Sequence, residues 1–136
     1  NVLDLFSEFR NATNGLSLVS RVQGACTGSL VMVGCRTTGN ATLQAVAYAP
    51  RGDVFFNTGN GNTPRNANGV GWYYSPNFSW GYAAQGLALN RNQCDWQNSG
   101  ASRVCFHTLG VGGFRCGDNV DLNNSNAYER IFFTNN

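Results

Sequence analysis

The sequence predicts an all-β fold, a single-domain antiparallel sandwich or jelly-roll-like unit held by disulfides. Three observations predict it. Apolar and aromatic runs recur every eight to twelve residues, Gly and Asn turn formers separate them, and no stretch of ten or more residues has a helical pattern. The chain has 136 residues, enough for one core, so 1–136 reads as one domain.

In chain order, 2–9 carries apolar residues that alternate poorly, which fits an edge strand or a short helix; 1–9 is a peripheral segment or one exchanged between copies. Strands are expected at 16–22, 29–36, 42–49 and 53–57. The first follows Asn14-Gly15, the third stops at Pro50, and the fourth is the run Asp53-Val-Phe-Phe-Asn57. The segment 57–68 is a polar surface loop, and Asn60-Gly61 and Asn68-Gly69 supply the positive φ of tight turns. Strands 69–75 and 78–83 make an aromatic hairpin with six aromatic residues in the eleven from Trp72 to Tyr82. Alternation puts Trp72 and Tyr74 on one face, with Phe78, Trp80 and Tyr82 on one face of the next strand. Strands at 103–108, 113–116 and 127–133 complete the set.

Charged residues are only 12 % of the chain, about half the usual share. Nineteen Asn, nine Ser and nine Thr make the surface polar instead. Nine scattered Arg and no Lys cannot form a phosphate-neutralising stripe, which excludes nucleic acid as a partner. No apolar run approaches the length of a membrane span. The chain starts at Asn1 and its one methionine is Met32, so the start is expected to be a cleavage product.

Five cysteines in so small a chain point to an oxidising compartment, hence to a secreted, extracellular or cell-surface protein. Local pairing is expected, Cys26 with Cys35 and Cys94 with Cys105, leaving Cys116 as a buried thiol or a link to another chain. The triplets at Asn11, Asn40, Asn77 and Asn123 are N-glycosylation acceptors, although about two or three are expected by chance in a chain this rich in Asn.

The functional expectation is a non-catalytic, carbohydrate-binding, lectin-like module. If Trp72 faces the core, Tyr73 faces outward; Trp96 lies in a polar loop with no strand to bury it. Both rings suit the C–H face of a sugar, and Asn60, Asn62, Asn66 and Asn68 suit its hydroxyls. Glycans are the expected partner, with self-association supplying avidity. The alternative is a structural subunit of an extracellular filament or surface coat that assembles through 1–9.

Other chemistry is thin. His107 is the one histidine; a Cys105–His107 nucleophile pair and paired carboxylates lack a defining context, so no catalytic residue is assigned. The oxygen-rich Asp118-Asn-Val-Asp121-Leu-Asn123-Asn124 matches no calcium-loop template and reads as a turn, so neither metal nor cofactor is expected. Arg51-Gly52-Asp53 is the tripeptide of many adhesion ligands, here at a frequency chance explains.

Overall fold

The computed structural model describes residues 3–9, 20, 22–59, 63–75, 79–84, 104–107, 114–119 and 127–135. Among the described residues nine strands form two antiparallel sheets. They are β1 (Leu3–Phe9), β2 (Leu30–Thr37), β3 (Ala45–Pro50), β4 (Arg65–Ala67), β5 (Val70–Tyr74), β6 (Ser79–Ala84), β7 (Val104–His107), β8 (Phe114–Cys116) and β9 (Tyr128–Asn135). The four-stranded sheet runs β1-β9-β2-β3 and the five-stranded sheet β4-β5-β6-β7-β8. The all-β expectation holds at this level.

Alternation builds the core. On β2, Val31, Val33 and Cys35 are buried, and register sets Val33 opposite Phe132 of β9. On the second sheet Trp72, Trp80, Tyr82, Val104 and Cys116 are buried, with Trp72 opposite Tyr82 and Val104 opposite Cys116. These residues of both sheets form one apolar cluster. At its centre the Trp80 ring stacks on Phe132 at 5.6 Å and on Phe55 at 5.3 Å, and its Nε1 donates to the Val54 carbonyl at 3.0 Å. A large ring is thereby buried with its polar atom satisfied. Trp72 Nε1 and Tyr82 Oη are buried with no hydrogen-bond partner among the described residues. Burial pushes the Tyr82 phenol well above its ordinary range, so it stays neutral at working pH.

The disulfide joins Cys35 of β2 to Cys116 of β8, across 81 residues of sequence. This corrects the local pairing: Cys26 and Cys105 are buried thiols outside any disulfide, and Cys94 lies outside the described residues. Cys35 and Cys116 alternate inward on strands of different sheets, so the bridge crosses the core instead of pinning a loop.

Residues 53–57 are not a strand. Arg51–Val54 is a single helical turn that follows directly on Pro50. A strand would bury alternate residues, yet the neighbours Val54 and Phe55 are both buried while Phe56 is exposed. One helical turn lets both reach Trp80. Arg51 anchors it, donating from Nε to the Cys26 carbonyl (3.1 Å) and from Nη2 to the Gln23 carbonyl (3.0 Å) at the end of a helical stretch through 22–25. That stretch, with residue 20 also helical, corrects the end of the expected strand 16–22; residues 16–19 and 21 lie outside the described residues.

Of the segment 2–9, residues 3–9 form β1, which among the described residues is an edge strand, paired along its length with β9, Leu3 opposite Asn135 and Phe9 opposite Glu129. No helix among the described residues is long and apolar enough to cross a membrane.

Replacing both bridge cysteines, Cys35→Ala with Cys116→Ala, is expected to cost about 4 kcal/mol, because a loop this long is released in the unfolded chain. Chemical denaturation of the variant against the parent checks this; an unchanged midpoint would show that the bridge does not constrain the fold.

Candidate functional site

Tyr73, expected to face solvent, is only 3 % exposed. It lies on the face of the five-stranded sheet opposite Trp72 and packs with Ala83 and Cys105. Arg115, on that same face beside Cys105, is fully buried too, its Nε and Nη2 both donating to the Gly117 carbonyl. This sheet is covered on both faces, so alternation alone misplaces Tyr73. Trp96, Asn60 and Asn62 lie outside the described residues, as do Asn11, Asn77 and Asn123.

Asn66 and Asn68 are exposed, as expected of the polar segment, but part of that segment is strand β4. Asn68 and Gly69 have φ of 51° and 81° and close the β4–β5 hairpin between the paired Ala67 and Val70. This is a two-residue turn with positive φ at both positions, the type that matches strand twist.

The turn delivers Asn68 to the edge of the other sheet. There its Nδ2 donates to the Tyr48 carbonyl at 2.8 Å. Arg51 N donates to the Ser29 carbonyl at 2.9 Å, so odd-numbered residues of β3 point their backbone groups at β2 and even-numbered ones point them outward. Asn68 therefore caps an outward carbonyl of an edge strand, and Pro50 removes a further outward donor.

Beside this cap lies a groove of about 490 Å³, a volume typical of small-ligand sites. Its floor is apolar: Met32 of β2, Val46 and Ala47 of β3, Leu43 before β3, and Val70 of β5. Tyr48, opposite Met32 in register, and Asn68 complete it. Tyr48 is 47 % exposed and Val46 45 %. The structure thus joins one expected residue, Asn68, to a ring that sequence reasoning passed over. The available signal was Ala45-Val-Ala-Tyr-Ala-Pro50, whose small and large residues alternate, putting Val46 and Tyr48 on one face of a strand that ends at a proline.

Further along the β3–β4 seam, Arg65 donates to Asp53 Oδ1 at 2.8 Å and its guanidinium lies 4.3 Å from the exposed Phe56 ring. Asp53 is engaged there and Arg51 in its carbonyl contacts, so both charges of Arg51-Gly52-Asp53 serve internal structure. At 116–119, Cys116 and Asn119 exchange backbone hydrogen bonds of 2.9 and 3.0 Å around Gly117, whose φ is 60°. That part of the oxygen-rich segment is a tight turn. Among the described residues no group of three or more His, Cys, Asp or Glu is placed to hold a metal ion.

Comparison with protein-family models, with curated proteins and with solved structures gives no match.

Asn68→Ala is expected to cost about 1–2 kcal/mol, from the left-handed backbone position and the lost bond to Tyr48. Asn68→Gly, which suits the backbone and loses only the bond, should cost about half that. Thermal melts of the two variants check the order; equal losses would show that the turn conformation is not what Asn68 provides.

Proposed function

We propose that the chain is an extracellular, non-catalytic binding module of the lectin type, its two sheets packed as a sandwich, that takes a sugar ring in the β3 groove. The observation that carries this reading is the half-exposed Tyr48 ring beside an amide held in one orientation. A sugar's C–H face stacks on an aromatic ring and on apolar floor residues such as Met32 and Val70, while its hydroxyls need planar acceptors and donors. With its Nδ2 anchored on the Tyr48 carbonyl, Asn68 offers Oδ1 as a preoriented acceptor at little entropic cost. Asn66, exposed on the same hairpin, extends the polar rim. Trp96, Asn60 and Asn62 are proposed as further contacts.

The edge caps support a small ring over an added strand as occupant. Pro50 and the Asn68 bond blunt the hydrogen-bonding edge of β3 but leave the groove beside it open. The composition and the disulfide suit an oxidising, extracellular setting.

A glycan array with the natively folded chain should give a saturable, sugar-competed signal. Tyr48→Ala should lower affinity at least tenfold, about 1.4 kcal/mol, while moving the melting temperature by no more than a few degrees; Tyr48→Phe should retain most binding. A blank array, or full binding by Tyr48→Ala, would overturn the assignment.

A second reading, a filament or coat subunit, is favoured by one observation. Among the described residues β1 sits at the outer edge of its sheet and pairs with β9 alone, so a neighbouring copy's first strand could take its place in the same register. Deleting 1–9 separates the readings by light scattering and sugar binding. Loss of large particles favours the subunit, whereas retained sugar binding favours the module.

A further inference from the structure

We propose that Asn40 is a site of N-linked glycosylation, at the free end of the β2–β3 hairpin. Four Asn-x-Ser/Thr triplets occur in the chain, and Asn40-Ala41-Thr42 is the one whose three residues all lie in the described structure, all of them exposed. Exposure is necessary and common among surface Asn. The local geometry of this triplet is what carries the assignment.

The chain leaves β2 through Gly39, whose φ of 81° turns it sharply, and Asn40 N then donates to the Thr37 carbonyl at 2.9 Å. The Asn40 side chain folds over its own triplet: Oδ1 accepts from the Thr42 backbone N–H at 3.0 Å. This is an Asx turn, a local device of Asn in turns. It orients the amide with its oxygen turned back to the chain. Nδ2 makes no hydrogen bond among the described residues and stands at the solvent side. A hydrogen bond to Oδ1 withdraws electron density from the amide, which favours loss of a proton from Nδ2.

Both features suit the transfer. The donor is an oligosaccharide linked through its anomeric carbon to a lipid diphosphate. Asn40 Nδ2 forms a bond to that carbon, the bond from the carbon to the phosphate oxygen breaks, and the lipid diphosphate leaves with the electron pair. Nδ2 loses one proton to a base of the transferring enzyme, and no electrons are exchanged with any redox partner. The Asx turn spans three residues, so its hydrogen bond requires no contact distant in sequence. In the folded chain the glycan projects from the hairpin end and disturbs no strand, since Asn40 Oδ1 bonds only within the turn and none of the three residues is buried.

This assignment is independent of the sugar-binding reading: one concerns a sugar attached at Asn40, the other a sugar held at Tyr48. The full chain is secreted from cultured insect or mammalian cells and digested with trypsin. Cleavage after Arg36 and Arg51 gives peptide 37–51, which contains this triplet and no other. Release with a peptide N-glycosidase in heavy-oxygen water should leave a labelled Asp at position 40 in most molecules. Thr42→Ala and Asn40→Gln should each abolish the label and reduce the intact mass by one glycan. Peptide 37–51 recovered unmodified from the secreted wild-type chain overturns the proposal, whatever the state of the other triplets. That result needs no variant, so a misfolded variant cannot obscure it.

Discussion

The bridge from Cys35 to Cys116 is the constraint on which the remaining geometry depends. It fixes β2 of one sheet to β8 of the other at one point of the core, and Trp80, stacked between Phe132 and Phe55, fixes them at a second. Two points of attachment set both the separation of the sheets and their relative rotation. Trp80 needs an acceptor for its buried Nε1 and a ring on its second face. Val54 and Phe55 supply them, which is why the chain makes a helical turn directly after β3 instead of continuing as a strand. That turn presents Asp53 to Arg65 and so draws β4 alongside. The β4–β5 hairpin then ends at Asn68 against Tyr48. The groove is thus a consequence of how the core aromatic is accommodated.

The parts legible in the sequence are those governed by short-range rules. The runs that became β2, β3, β5, β6, β7, β8 and β9 were readable to within a few residues, because strand periodicity and turn residues act locally. Asn68-Gly69 is the clearest case: its turn type requires positive φ at both positions, and few other residue pairs tolerate that. Alternation likewise places Trp80 and Tyr82 on one face, but which face of the hairpin is buried was not legible and is settled by the packing of the two sheets.

What was not legible depends on contacts distant in sequence. The disulfide partner of Cys35 lies in the other sheet, and no spacing rule encodes that. Val54-Phe-Phe has strand composition, but the demand of Trp80 for two adjacent groups overrides it. Alternation with one covered face puts Tyr73 outside, whereas Ala83, Cys105 and Arg115 show the second face to be covered as well. β4 is three residues inside a polar segment, too short for a periodic signal. Tyr48 was overlooked among alanines; its exposure follows from β3 being an edge strand, a property of sheet order. Asn68 was legible as a turn residue and as a candidate contact, but its meeting with Tyr48 was not.

Mapping of the disulfide by non-reducing tryptic mass spectrometry tests the central claim most directly. Cleavage after arginine puts Cys26 and Cys35 in peptide 22–36, Cys94 in 92–103, Cys105 in 104–115 and Cys116 in 116–130. The account predicts 22–36 linked to 116–130, with fragmentation placing the link on Cys35 and alkylation marking Cys26 and Cys105 as thiols. A loop-linked 22–36 peptide, or 92–103 joined to 104–115, would contradict it, and with it the attachment of the two sheets from which the groove is derived.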